Sequence, residues 1–380
     1  MNRIQISTPS MGEAEWEAVR GPIESGWLTQ GPKVAEFEKA FATRHEVGHA
    51  LATTSCTSAL HLMLEAAGIG PGDEVIVPSF TWVSTANAVI YAGATPVFAD
   101  VDPDSYNISV EDVVRKVTGK TKGVIAVHLF GLCADIPGLR AALPEHVMIF
   151  EDAACAAGAS LGNDPAGSLG HAAAFSFHPR KSITTGEGGM LTTNDPDLAS
   201  KAAKMRNHGA EISEEERHNG PQPFLLPDFK LLGYNYRMTD LQGALGLVQL
   251  AKLDEFIAER NTWAQFYENE LSDMDWIQLP KRPDVGTHAW QSFVIRIVGP
   301  NASEKRNQLM VYMEENEIAT RPGTHAIHSL GYYSDLLNLT DEDLPGSATC
   351  RDTTMAIPLH NKMAPEDYHR VVDTLKSGNI

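Results

Sequence analysis

Lys181 sits in the polar turn His178-Pro179-Arg180-Lys181-Ser182-Ile183-Thr184-Thr185-Gly186-Glu187-Gly188, between apolar runs at 172–177 and 189–193. A lone lysine is ordinarily a solvated charge on a flexible stem. A lysine held on a short excursion from buried strands can lose solvation and basicity, and such an amine attacks carbonyls to form Schiff bases. Three other features could share its chemistry. Asp152 closes the run Phe150-Glu151-Asp152 and offers an acid, and Trp82 in Ser79-Phe80-Thr81-Trp82 offers a flat aromatic face. Ser55-Cys56-Thr57-Ser58 stands where a strand meets a helix. Free backbone N–H groups, hydroxyls and the positive end of a helix dipole meet there and make an anion cup. Each feature also has a plainer reading: Ser55 to Ser58 as an ordinary helix cap, Trp82 as core, Asp152 as a cap for the helix that follows. His128 in Val127-His128-Leu129 reads as a satisfied polar group at a strand end. Only jointly do they supply an amine, an acid, an aromatic plate and an anion site.

The elements that position them alternate. Strands are predicted at 49–54, 74–78, 95–101, 122–128 and 147–152, separated by helical or polar segments such as the helix at 58–67. That alternation predicts an α/β fold with a largely parallel sheet covered on both faces, and ligands gather at the carboxyl ends of such strands. Beyond the lysine turn, a helix is predicted at 197–207 and a polar, mobile surface loop at 209–228. Gly233 to Asp240 then leads into a long helix with Leu241, Ala244, Leu245, Val248 and Leu250 inward and Thr239 or Asp240 as its cap. The pattern changes near 254–260, which divides the chain into a large domain, 1–250, and a smaller C-terminal α+β domain, 251–380. The latter should hold helices near 262–271 and 303–317 and strands at 291–298 and 354–359.

Composition excludes several classes of function. The 380 residues carry a formal charge of −19, which disfavours nucleic acid or an anionic membrane as partner. No apolar run approaches the ~20 residues of a membrane span, and Met1-Asn2-Arg3-Ile4-Gln5 opens no secretory segment, so a cytoplasmic location is expected. Cys56, Cys133, Cys155 and Cys350 are far apart and form no CxxC pair, so neither disulfides nor a metal site is expected.

From Gly26-Trp27-Leu28-Thr29-Gln30-Gly31-Pro32 through the lysine turn to Ala356-Ile357-Pro358-Leu359-His360, the chain resembles the DegT family of sugar aminotransferases, within the fold-type-I pyridoxal phosphate enzymes. The resemblance implies that Lys181 holds the cofactor as a Schiff base and later carries protons. Asp152 would face the pyridine nitrogen, and Trp82 would stack on the ring. Thr57, Ser58 and Ser176 would hold the 5′-phosphate, with Asn235 supplied by the other subunit of a homodimer. Cys155 stands where the family commonly has Gln or His and would line the cofactor as a weak hydrogen bonder. Thr29 would border the sugar, while Arg321, His325 and His328 would meet the donor carboxylate or nucleotide phosphates; the two histidines lack a third metal ligand. The implied reaction takes an amino group from L-glutamate, passes through pyridoxamine phosphate and delivers it to a nucleotide-linked keto sugar. The product would be an amino sugar nucleotide of the 4-amino-6-deoxy or 3-amino type, destined for surface polysaccharide or glycosylated natural products. A cyclitol aminotransferase acting on an inosose is the alternative. Sugar dehydratases of the family carry His at the lysine position, and a non-catalytic regulator would need a DNA-binding segment that the sequence does not display.

Overall fold

Strands whose side chains are apolar on both faces need a layer of helices on each. Val75, Ile76 and Val77 are wholly buried, as are Val124, Ile125 and Ala126, and the chain supplies both layers. The computed structural model describes residues 2–211, 224 and 226–378; most of the predicted loop at 209–228 lies outside the described residues. Its first ten strands are β1 (His49–Thr53), β2 (Glu74–Pro78), β3 (Phe80–Thr81), β4 (Thr95–Ala99), β5 (Thr121–Val127), β6 (Met148–Asp152), β7 (Ser160–Leu161), β8 (Asp164–Pro165), β9 (Ala172–Ser176) and β10 (Gly189–Thr193). Seven of them form one sheet in the order β1-β10-β9-β6-β5-β2-β4. β4, β2, β5, β6 and β9 pair in parallel, whereas β10 runs antiparallel to both neighbours. The lysine turn is the reason: it returns the chain directly from β9 to β10, and a direct return makes an antiparallel pair.

The helices before and around this sheet are α1 (Glu13–Ser25), α2 (Pro32–Arg44), α3 (Cys56–Ala66), α4 (Ser84–Tyr91), α5 (Val110–Lys116), α6 (Ile136–Ala142), α7 (Pro196–Arg206), α8 (Asp240–Ala251) and α9 (Leu253–Leu271). On one face, Val34, Phe37 and Phe41 of α2 pack against Phe175 and Phe177. On the other, Leu60, Met63 and Leu64 of α3 pack with Val89 of α4 and Leu198 of α7. α8 lies so close to α2 that a Cβ on Gly246 would meet the Phe37 ring at 2.6 Å and one on Gly243 would meet Val34 N at 2.7 Å.

Thr239 caps α8, with a reciprocal bond from Thr239 N to Gln242 Oε1 at 3.0 Å. Asp240 is freed for a second task. Its carboxylate accepts from Gly31 N at 2.8 Å, Val34 N at 3.0 Å and Lys33 N at 3.1 Å, so it caps α2 from across the fold. Its own N–H donates to the carbonyls of Leu28 and Thr29, pinning the 26–32 loop. Asp240→Ala should therefore cost about 1–2 kcal/mol in a urea titration and make the 26–32 backbone exchange hydrogen faster than in the parent. Unchanged exchange there would separate that loop from α8.

α9 begins at Leu253, well before the helical stretch read at 262–271, because Leu253, Phe256 and Ile257 are already buried. The later strands are β11 (Ile277–Gln278), β12 (Gly286–Thr287), β13 (Phe293–Ile297), β14 (Arg321–Pro322), β15 (His325–Ala326) and β16 (Thr354–Ile357). A four-stranded antiparallel sheet, β11-β13-β16-β14, covers a core of Tyr267, Trp290, Phe293 and Tyr368 that also takes in Ile4 from the start of the chain. β15 leaves this region and pairs with β3, His325 opposite Thr81. Among the described residues, no helix is long and apolar enough to cross a membrane.

Candidate active site

Asp152 ends β6 with only 4% of its surface exposed. Thr85 Oγ1 donates to its Oδ2 at 2.7 Å, Ala154 N donates to its Oδ1 at 3.2 Å, and Cys56 Sγ lies 4.0 Å from Oδ1. Among the described residues no ion pair reaches it. Burial raises its pKa above the ordinary carboxylate range, against the opposing pull of the Thr85 and Ala154 bonds and the Lys181 charge. This is a carboxylate stripped of water and lacking a cation of its own.

The residue before it faces the other way. Glu151 is wholly buried and accepts from His128 Nε2, Gly167 N and Gly170 N, each at 2.7 Å. His128 Nδ1 accepts from Ala134 N at 3.0 Å, which fixes the ring's proton on Nε2, and His128 N donates to Asp152 O at 3.0 Å. His128 is thus the satisfied strand-end group expected of it, and it ties β5 to the end of β6. Glu151→Gln puts an amide NH₂ against one of these donors and should cost about 2–3 kcal/mol, read as a lower urea midpoint with an unchanged slope. A neutral result would mean that water replaces the carboxylate.

The lysine turn is clamped at both ends. Phe177 N donates to Gly188 O at 2.9 Å, and Phe177 O accepts from Thr185 N at 3.0 Å and Thr184 Oγ1 at 2.7 Å. α8 buttresses it from behind, through Gln242 Nε2 to Glu187 O at 2.6 Å and Thr184 N to Gln249 Oε1 at 3.2 Å. Lys181 Nζ then donates to Cys155 Sγ at 3.1 Å. Burial pulls the Lys181 pKa down, but electrostatic interaction and a hydrogen bond with Cys155, and interactions with Cys56 and Asp152, pull it up further, so the net direction is upward. The expected loss of basicity is therefore corrected: with no carbonyl attached, the amine is an ammonium among acidic groups.

Helix α3 starts two residues earlier than predicted, at Cys56, with Ser55 as its cap. Ser55 Oγ accepts from Ser58 N at 3.1 Å, and Ser58 Oγ lies 2.8 Å from Thr54 Oγ1 and 2.9 Å from Ser55 Oγ. Thr57 stands half-buried in the same first turn. A Cβ on Gly189 would come within 2.4 Å of Ser55 C, so glycine is what lets β10 touch this helix start. Its partner across the pair is Ser176, which is carried to the same place.

Trp82 follows β3 and is 54% exposed, with His325 set edge-on to its ring at 5.5 Å. Arg321 is exposed on β14 opposite Ala356. His328 is turned inward: its Nδ1 meets Ser79 Oγ at 2.7 Å and its Nε2 meets Asp341 Oδ1 at 3.0 Å, so both ring nitrogens are taken. Thr29 is fixed by its carbonyl to Asp240 N. Asn235 is exposed, on a segment tied to the edge of the cup by Thr54 N donating to Tyr236 O. Among the described residues, no group of three His, Cys, Asp or Glu side chains is placed to hold a metal. Thr85, Glu151 and Gln249 were not singled out in the sequence, and Asp240 was read there only as a possible cap of α8. Thr85 had a signal, since Ser84-Thr85 follows Trp82 at a strand end as Ser55 to Ser58 follow β1.

A buried acid without a cation, a lysine held beside the same strand ends, open helix N–H groups and an exposed aromatic face are a donor set that fits the nitrogen, aldehyde, phosphate and ring of pyridoxal phosphate. The fold and this set define a lysine-dependent, carbonyl-handling enzyme of the pyridoxal phosphate type. The chain belongs to the DegT/DnrJ/EryC1/StrS aminotransferase family, which matches residues 9–376, and it is a sugar aminotransferase. It is 37% identical over 376 residues to GDP-perosamine synthase of Caulobacter vibrioides, covering 98% of this chain and 97% of that protein. It is also 37% identical over 375 residues to the spore coat polysaccharide biosynthesis protein SpsC of Bacillus subtilis, covering 98% and 96%. Spr1654 of Streptococcus pneumoniae, solved in a PLP form, superposes with a TM-score of 0.90 at 27% identity over 98% of each chain.

Proposed function

We propose that the enzyme transfers the amino group of L-glutamate to a keto sugar carried on a nucleoside diphosphate, giving an amino sugar nucleotide of the 4-amino-6-deoxy or 3-amino type. The observation that carries this reading is end-to-end similarity to a GDP-perosamine synthase combined with a lysine, rather than a histidine, in the clamped turn. Bound pyridoxal phosphate supplies an electrophilic aldehyde and an electron-accepting ring. Lys181 would hold the aldehyde carbon and, when its amine is free, would carry the proton between it and the donor or acceptor carbon. Asp152 faces the ring nitrogen and keeps a proton there, for which its burial without a cation suits it. Thr57, Ser58 and Ser176 hold the phosphate, Trp82 and Cys155 line the ring, and Asn235 reaches the cup of a second copy in a homodimer.

On the substrate side, exposed Arg321 and His325 meet anionic groups and Thr29 borders the sugar, while His328 holds β15 in place through Ser79. The test is a visible spectrum of the loaded enzyme. L-Glutamate should bleach the band of the bound cofactor, and one member of a panel of nucleotide keto sugars, a GDP-linked one tried first, should restore it. Restoration by an inosose alone would move the assignment to a cyclitol aminotransferase, and no response to any amino donor would remove catalysis.

A further inference from the structure

Four thiols are present, and they are not equivalent. Cys56, Cys133 and Cys350 are buried, and burial pushes all three thiol pKa values up, that of Cys350 to about 12. Such thiols stay protonated and inert. Cys155 alone is partly exposed, so a small oxidant from solvent can reach it, and it alone has an amine in contact, Lys181 Nζ at 3.1 Å from its sulfur. At that distance a single covalent bond between the two atoms requires only a small further approach.

We propose that Cys155 and Lys181 form a modification site, in which hydrogen peroxide joins Cys155 Sγ to Lys181 Nζ through a sulfur–nitrogen bond. The thiolate is the form that attacks peroxide, and Lys181 Nζ lies within hydrogen-bond reach of the sulfur to take up the hydroxide formed there. Cys155 sulfur displaces hydroxide from peroxide and becomes a sulfenic acid, losing two electrons as the O–O bond breaks; the Lys181 ammonium neutralises the hydroxide to water. Having given its proton to the hydroxide, Lys181 is left as the neutral amine. The amine lone pair attacks sulfur, the S–O bond breaks, and the hydroxyl leaves as a second water with the proton released from nitrogen. In sum, thiol, amine and one peroxide give the bridge and two waters. Two equivalents of an external thiol reverse it, restoring Cys155 and Lys181 and leaving an external disulfide.

This goes beyond transamination but rests on Lys181 as the amine that captures cofactor, because the bridge withdraws that amine. It also makes the modification depend on state. Lysine already joined to the cofactor aldehyde cannot attack sulfur, so the cofactor-free protein is the sensitive form and the aldehyde-loaded protein is shielded.

The experiment exposes the full-length protein to hydrogen peroxide, with and without prior loading with pyridoxal phosphate, and maps the peptides by mass spectrometry. In the cofactor-free sample, the peptides holding residues 155 and 181 should appear as one species lighter than their sum by two hydrogens. Dithiothreitol should release it, and cofactor capture should fall and recover in proportion to the bridged fraction. Cys56→Ser should retain the bridge and Cys155→Ser should abolish it. Recovery of Cys155 only as sulfinic or sulfonic acid, a Cys56–Cys155 disulfide, or equal bridging in loaded protein would overturn the proposal. Borohydride reduction of loaded, unoxidised protein locates the captured cofactor separately. A label away from Lys181 would defeat the functional reading, whereas the mass of the bridge judges this one.

Discussion

Lys181→Ala should abolish covalent cofactor capture and lower transamination by on the order of 10⁴-fold, the upper range for a positioned acid–base group, which here also loses its covalent role. Among the described residues the site holds no substitute amine. Arg180 is adjacent in sequence, but its backbone is turned outward, N–H to His178 Nδ1 at 3.2 Å and carbonyl to Gln291 Nε2 at 2.8 Å, and guanidinium is not a nucleophile. The turn should survive the change, because its clamps run through backbone groups of Phe177, Thr184, Thr185 and Glu187 rather than through the lysine side chain. The cofactor-free folded state should lose some stability at neutral pH, since the surroundings of Lys181 favour its ammonium by more than burial penalises it. The decisive measurement is borohydride reduction followed by peptide mapping. A cofactor–protein adduct formed at the parent's rate in Lys181→Ala would remove Lys181 from the chemistry. Lys181→Arg should be as inactive, because charge without nucleophilicity cannot replace the amine.

Where an element could be read from local pattern, the sequence was enough. The strands ending in Asp152 and Ser176 are short, apolar and punctuated, and the lysine turn is marked by two glycines within a polar run. Asp240 shows where local pattern runs out. The sequence offers Thr239 or Asp240 as the cap of α8, and Thr239 takes that role, but nothing nearby reveals that Asp240 caps α2 more than two hundred residues away in the chain. A single charged residue in an apolar strand carries no local sign of its partners, and Glu151 is buried because two loop N–H groups and His128 converge on it. The direction of the Lys181 shift was missed for a similar reason. Desolvation is legible from a strand–turn–strand pattern, but the sulfur of Cys155 is brought beside the amine by the parallel pairing of β6 with β9, a long-range fact. His328 looked like one more ligand in Thr324-His325-Ala326-Ile327-His328, and only the pairing of β15 with β3 shows that it faces Ser79.

Asp152→Asn should retain the fold and some cofactor while lowering turnover by about 10²–10³-fold, the scale seen when one preorganised charge-stabilising group is removed. The amide can preserve both present contacts: its carbonyl accepts from Ala154 N and its NH₂ donates to Thr85 Oγ1. What it lacks is the negative charge that keeps a proton on a facing ring nitrogen. The same charge carries a cost in the cofactor-free protein. Burial raises the folded pKa of Asp152 above its unfolded value, so the folded state binds the proton more tightly. Stability is therefore unaffected below the ordinary carboxylate pKa, falls as pH rises from there through the folded value, and stays lowered above it. Cofactor-free Asp152→Asn should accordingly gain in urea midpoint over the parent across that window and hold the gain at neutral pH. Loading with pyridoxal phosphate should reverse the order, because a cation then faces the carboxylate and only the parent benefits. If the variant were no more stable when cofactor-free and equally active when loaded, Asp152 would be the cap of the segment at Ala154 and nothing more. If it were more stable and inactive, one buried charge would account for both the chemistry and the weakness of the empty site.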